Sequence, residues 1–267
     1  MAELWFNGKS STDAGIRHVE KYPALNRPER QARIVDVPGR NGDVVQLLDA
    51  WNDYEQDYEI YGGDGTKGSA PVAFNSIYAW LNSATGYARL EDIYEPDYFR
   101  LAYFTGPMDV DNVFSQFGRA TITFMCRPER FLKSGADKGN ASNPSVVCGG
   151  MNPSITNGGG LRNPTGYTSH PLIRVPKTSG TATVTITAES GNTYTMTVDG
   201  ANAPTGGIVI DCETGNAFGF SDNTVDCNGI VAFSGGIVPA LEPGENTFTV
   251  SPSAGTSLYV APRWFEI

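Results

Sequence analysis

Basic residues are scarce in this sequence. Its 267 residues carry 19 Lys and Arg against 29 Asp and Glu, a formal charge of −10. Affinity for nucleic acid comes from Lys and Arg displacing counterions from phosphates, so gripping a nucleic acid is excluded as the main function. Histidine is nearly absent: only His18 and His170 occur, and neither belongs to an H-E-x-x-H metal motif. The four cysteines, Cys126, Cys148, Cys212 and Cys227, form no C-x-x-C pair and match no zinc spacing, which points to buried free thiols. No apolar run approaches the roughly 20 residues of a membrane-spanning helix. The N-terminus also lacks a basic segment followed by an apolar one, so the expectation is a protein made and kept in a cytosol, where the sequon Asn140-Ala141-Ser142 has no meaning. Neither a G-x-S-x-G nucleophile elbow nor a phosphate-binding P-loop is present, and nothing selects a carboxylate pair for glycoside hydrolysis.

What is abundant is turn chemistry. The chain has 31 Gly and 17 Pro, with 40% hydrophobic and only 18% charged residues, a composition for short strands joined by tight turns. Residues 1–133 hold 14 bases and 19 acids, and residues 134–267 hold 5 and 10. Glycine runs the other way, with 11 and then 20. This shift predicts two domains, 1–133 and 171–267, joined by a Gly/Ser/Asn-rich linker over 134–170 that holds at most a short strand near 145–148.

In the first half, strand patterns alternate with turn signals such as Asn7-Gly8, Pro38-Gly39, Asn41-Gly42 and Gly62-Gly63. One helix is predicted, with Ser69 as its N-cap, Pro71 in its first turn and Phe74, Ile77, Tyr78, Trp80 and Leu81 on an apolar stripe. The second half shows no helical period. Its seven Thr-, Val- and Ile-rich runs, near 171–175, 181–188, 193–198, 207–211, 229–233, 246–250 and 257–261, predict an antiparallel sandwich.

Chemistry-bearing motifs are few. Gly63-Asp64-Gly65-Thr66-Lys67-Gly68 fits a dinucleotide fingerprint between a strand and a helix. However, the preceding strand alternates instead of being continuously apolar, and Asp64 would stand where a pyrophosphate should sit, so a flexible turn is the better reading. Asp109-Val110-Asp111-Asn112 begins like a calcium loop but lacks its Gly and distant Glu. No cofactor, metal or catalytic residue is assigned. Between Arg40 and Lys67 there is no base but seven acids, among which Glu55, Asp57 and Glu59 share one strand face. That face is a solvated surface or one that repels another polyanion. Val37-Pro38-Gly39-Arg40-Asn41-Gly42 carries the signals of a type II turn and of a two-residue hairpin, so Pro38, Gly39, Arg40, Asn41 and Gly42 form either a plain hairpin tip or an interface.

The order of several short motifs resembles a known family. Phe6-Asn7-Gly8-Lys9, Val37-Pro38-Gly39-Arg40-Asn41-Gly42-Asp43, Trp80-Leu81, Asp97-Tyr98-Phe99 and Phe124-Met125-Cys126-Arg127-Pro128 are similar to the N-terminal domain of distal tail (Dit) proteins of long, non-contractile-tailed bacteriophages and prophages. Asn163-Pro164, Pro171-Leu172-Ile173-Arg174-Val175, Ile210-Asp211-Cys212-Glu213, Pro243-Gly244-Glu245-Asn246 and Pro262-Arg263-Trp264 are similar to its second domain. The resemblance implies a mainly β fold, with a ring-forming N-terminal β-sandwich or barrel-like domain bearing one α-helix and a galectin-like C-terminal β-sandwich.

It further implies a non-enzymatic structural protein of the virion tail tip, assembled in the host bacterial cytoplasm. A homohexameric ring would join the tail tube to the hub or tail-associated protein, and in some members the outer domain also holds receptor-binding proteins. DNA would pass through the lumen without specific binding, and Glu55, Asp57 and Glu59 are the expected lining. Two other functions stay open at this stage. One is a carbohydrate-binding sandwich using Tyr194, Phe233 or Trp264, and the other is a tail-tube or tube-terminator protein.

Overall fold

The structure, a computed structural model, describes residues 3–21, 26–108, 110–114, 116–135, 154–155, 158–251 and 258–267. Asp109, the sequon at Asn140, Cys148 and the strand expected near 145–148 lie outside the described residues. The chain divides into two compact units, Met1–Arg130 with Ile267, and Phe131–Glu266.

The first unit runs β1 (Leu4–Phe6), β2 (Lys9–Ser10), β3 (Ile16–Lys21), β4 (Arg30–Val35), β5 (Val44–Trp51), β6 (Tyr54–Gly62), α1 (Ser69–Leu81), β7 (Ala88–Asp92), β8 (Tyr98–Phe104), β9 (Val110–Phe114) and β10 (Phe117–Leu132). Its main sheet has the order β2-β1-β7-β8-β10-β6-β3, with β9 also pairing along β10. Strict alternation makes this sheet two-faced. In β6, Tyr54, Gln56, Tyr58, Ile60 and Gly62 are buried, and the residues between them lie on the other face.

Helix α1 closes the buried side with Phe74, Ile77, Trp80 and Leu81, and the Trp80 indole N–H donates to the Phe6 carbonyl at 3.2 Å. The helix approaches closely because Gly118 and Gly62 pair across β10 and β6, leaving a notch for the Phe74 ring. A Cβ on Gly118 would stand 2.6 Å from that ring. The expected N-cap is corrected. Gly68, at φ 87°, occupies the cap, and Ser69 is the first helical residue. The Ser69 hydroxyl is engaged elsewhere, donating to the Gln116 carbonyl at 3.0 Å and accepting from the Asp64 N–H at 3.1 Å.

One polar cluster sits inside this unit. Arg100 is 1% exposed, and its Nε donates to the Tyr54 hydroxyl at 2.7 Å. Its guanidinium also pairs with Glu95 and lies 3.7 Å from Asp92. Asp92 accepts from the Tyr58 hydroxyl at 2.6 Å, and Glu95 accepts from Arg130 at 2.7 Å. Buried charges persist when paired and hydrogen-bonded in this way.

The second unit contains β11 (Ser154–Ile155), β12 (Gly160–Asn163), β13 (Leu172–Val175), β14 (Thr181–Ala188), β15 (Thr193–Asp199), β16 (Ile208–Asp211), β17 (Asn216–Gly219), β18 (Val231–Phe233), β19 (Gly244–Ser251), β20 (Leu258–Ala261) and β21 (Phe265–Glu266). Two five-stranded antiparallel sheets, β11-β20-β13-β16-β17 and β12-β19-β14-β15-β18, share one core that includes Ile173, Val184, Ile186, Met196, Ile210 and Phe248. Strands β11 and β12 fall within the stretch expected as linker. Cys126, Cys212 and Cys227 are buried, and burial pushes the Cys212 thiol well up.

Candidate functional site

Among the described residues, strands β4 and β5 pair only with each other. Their register sets Arg33 opposite Gln46, Ile34 opposite Val45 and Val35 opposite Val44, and every residue from 32 to 49 is exposed. Such a two-stranded ribbon is marginal alone in water, yet this one carries Ile34 at 62% exposure, Val45 at 57% and Leu47 at 56%. Consecutive apolar residues in both strands place exposed side chains on both faces of the ribbon. Its base is tied down. Arg30 Nε donates to the Leu48 carbonyl and its Nη2 to Asp49, both at 2.8 Å, and the guanidinium lies 5.6 Å from the centre of the Trp51 ring.

The tip contains Pro38, Gly39, Arg40, Asn41 and Gly42. The Arg40 N–H donates to the Val37 carbonyl at 3.1 Å, and Gly39 has φ 83°, so Pro38-Gly39 forms the centre of the expected type II turn. Asn41-Gly42 does not form a two-residue hairpin loop, because the strands end at Val35 and resume at Val44. Every tip residue is exposed, and among the described residues a Cβ on Gly39 or Gly42 would meet no atom within 4 Å.

Glu55, Asp57 and Glu59 share the face of β6 opposite the core, with Glu55 exposed and the other two half-buried. In space, this face is not free of bases. Arg119 on β10 pairs with Glu59 at 3.3 Å, and Thr123 donates to Asp57 at 2.6 Å. Tyr61 also donates to Glu59, while Glu20 stands directly opposite it on β3. The face is therefore acidic with an embedded Arg, an arrangement that the base-free stretch of sequence did not reveal.

The glycine-rich connection is a turn between an antiparallel strand and a helix, since β6 runs antiparallel to both β10 and β3. Asp64 accepts from the Thr66 hydroxyl at 2.6 Å and its N–H at 2.8 Å, and these bonds hold its carboxyl down to about 2. That fixed negative charge is unsuited to a pyrophosphate.

His18 lies 3.1 Å from Glu3 and is mostly exposed, and His170 is exposed ahead of Pro171. Among the described residues, no group of three His, Cys, Asp or Glu is placed to hold a metal ion. The aromatic residues considered for sugar stacking pack against the sandwich core: Tyr194, Phe233 and Trp264 are half-buried there, and the Tyr194 hydroxyl donates to Glu242 at 2.7 Å.

Solved structures of phage proteins share this architecture. The SPP1 Dit protein, described as a paradigm of the hub adsorption apparatus in phages infecting Gram-positive bacteria, matches with a TM-score of 0.63 over 97% of both chains, at 13% identity. The chain has the fold of a phage distal tail protein. Two structures of the phage p2 baseplate in its activated conformation also match. The one with strontium has a TM-score of 0.54 over 97% of both chains at 11% identity. The one with calcium has 0.50 over 94% of this chain and 92% of that one, also at 11% identity. No family model matches the sequence, and no curated protein is similar to it in sequence. The mainly β architecture with one α-helix expected from the sequence is present among the described residues.

Proposed function

We propose that the protein is a structural, non-enzymatic component of a bacteriophage tail tip. In this reading its N-terminal domain closes a homohexameric ring between the tail tube and the hub, within a virion tail assembled in the host cytoplasm. The observation that carries the reading is the β4–β5 hairpin. A ribbon with Ile34, Val45 and Leu47 each more than half exposed has no cover among the described residues, and apolar surface of this kind marks a protein interface. A second copy supplies the cover, and repeating the same head-to-tail contact around an axis closes a ring.

The acidic face of β6 fits the same assembly. If Glu55, Asp57 and Glu59 line the lumen, DNA passes beside like charge and finds no row of bases to hold it. The fold shared with SPP1 Dit and the p2 baseplate chains supports this role. The second domain is the outward-facing module in this reading. Its half-buried Tyr194, Phe233 and Trp264 give a sugar-binding role no specific support.

Native mass measurement of the purified chain tests the proposal. Wild type should assemble to six copies in a concentration-dependent way. A variant with Ile34→Ser, Val45→Ser and Leu47→Ser should remain monomeric while keeping the wild-type circular dichroism spectrum. A variant that assembles as well as wild type would refute the role given to the hairpin.

A further inference from the structure

A groove of about 620 Å³ lies in the first unit beside the glycine-rich connection, within the size range of ligand-binding clefts. Its walls include Ile16 and Val72, the latter 67% exposed, together with three charged side chains: Arg17, Asp64 and Lys67. Arg17 is anchored there by its Nε, which donates to the Gly63 carbonyl at 3.1 Å. Asp64 follows that glycine, and Lys67 is three residues further on. Its bonds from Thr66 keep Asp64 ionised. The groove therefore gathers one negative and two positive charges beside the exposed Val72 side chain.

The hairpin tip carries the opposite pattern. Asp36, Arg40 and Asp43 are negative, positive and negative along residues 36–43, and all three are exposed. Beside them, Val37 and Pro38 offer exposed apolar surface. The net charges are also opposite, −1 on the tip and +1 on the groove, counted over these six side chains. Complementary charge of this kind steers partner choice at an interface.

We propose that the tip of one copy seats in this groove of a second copy, with Arg40 against Asp64, Asp36 and Asp43 toward Arg17 and Lys67, and Val37 and Pro38 over Val72. The inference rests on the ring reading above and names the socket which that reading leaves open. The groove is then incomplete without the partner's arginine, and the match of opposite charges selects how neighbouring copies join.

Charge exchange tests the socket, read as the assembly constant from mass photometry of the full chain. Arg40→Asp places like charges together and should weaken assembly on the order of 100-fold, since such juxtapositions cost several kcal/mol. Asp64→Arg should weaken it similarly, and the two together should recover most of the loss. Because Asp64 also holds its own turn, a second exchange uses Asp43→Lys with Lys67→Glu, whose side chains are exposed. There too, each single variant should assemble less well than the pair. Rings that form with wild-type affinity in Arg40→Asp and Lys67→Glu would overturn the socket and leave the ring standing. Wild type that never assembles would overturn the ring reading and the socket with it. Single losses that simply add in the double variants would also overturn the socket.

Discussion

Replacing Arg100 with Met probes the buried polar cluster of the first unit. The guanidinium is 1% exposed and sits between the Tyr54 hydroxyl, Glu95 and Asp92. Breaking a buried ion pair by removing one partner costs about 3–5 kcal/mol, because the remaining charge stays buried. Here the loss should fall near the lower end. Glu95 keeps Arg130 at 2.7 Å, and Asp92 keeps its bonds from the Tyr58 hydroxyl at 2.6 Å and from the Tyr94 and Glu95 N–H groups at 3.0 and 2.9 Å. About 3 kcal/mol, at about 3–5 °C per kcal/mol for a unit of this size, lowers the melting temperature by roughly 10 °C. Thermal unfolding followed by circular dichroism measures it. Adding Asp92→Asn should restore part of the loss, since the buried carboxylate charge facing the missing guanidinium is then gone. A shift for Arg100→Met of less than about 3 °C would refute the reasoning.

Further predictions follow from the packing and the charges. Gly118→Ala drives a methyl into the Phe74 ring and should cost about 1–3 kcal/mol, read by chemical denaturation, whereas Gly118→Ala combined with Phe74→Leu should lose less than the two single changes added together. Glu242 accepts hydrogen bonds from Ser190, Tyr194 and Asn192, which hold its carboxyl below the ordinary value. Its contribution is present above the unfolded value of about 4.3 and is lost as pH falls through the lower folded value, so Glu242→Gln should flatten the fall of melting temperature between about pH 5 and 2. Glu55→Lys with Asp57→Lys and Glu59→Lys should leave ring assembly intact and slow DNA release from virions carrying the variant, because the lumen then attracts phosphate. Release at the wild-type rate would remove these residues from the lumen.

Legibility in the sequence followed the range of the interactions. Helix α1 was readable because Phe74, Ile77, Trp80 and Leu81 repeat at helical spacing, but its cap was not, since the Ser69 hydroxyl is drawn to the distant Gln116 carbonyl. The alternating Thr and Val of β14 and β15 announced the sandwich. By contrast, Asn216–Gly219 lacks a β-branched residue, and Gly160–Asn163 is a strand only because β19 lies alongside to pair with it. The face of Glu55, Asp57 and Glu59 was legible by its period of two, while Arg119 beside Glu59 depends on the pairing of β6 with β10. Ile34, Val35, Val44, Val45 and Leu47 are residues that any strand could carry, and only the lack of a covering layer among the described residues marks them as a contact surface. The buried charge on Arg100 left little local signal, because Tyr54 lies far back in the chain on β6, and Asp92 and Glu95 meet it only through the turn between β7 and β8.

A cryo-electron microscopy structure of the assembled protein tests the central claim most directly. The account predicts a six-fold ring in which each β4–β5 hairpin lies on the neighbouring copy and Glu55, Asp57 and Glu59 face the lumen. A ring with those three residues on its outer rim, or a hairpin that touches no neighbour, would contradict it.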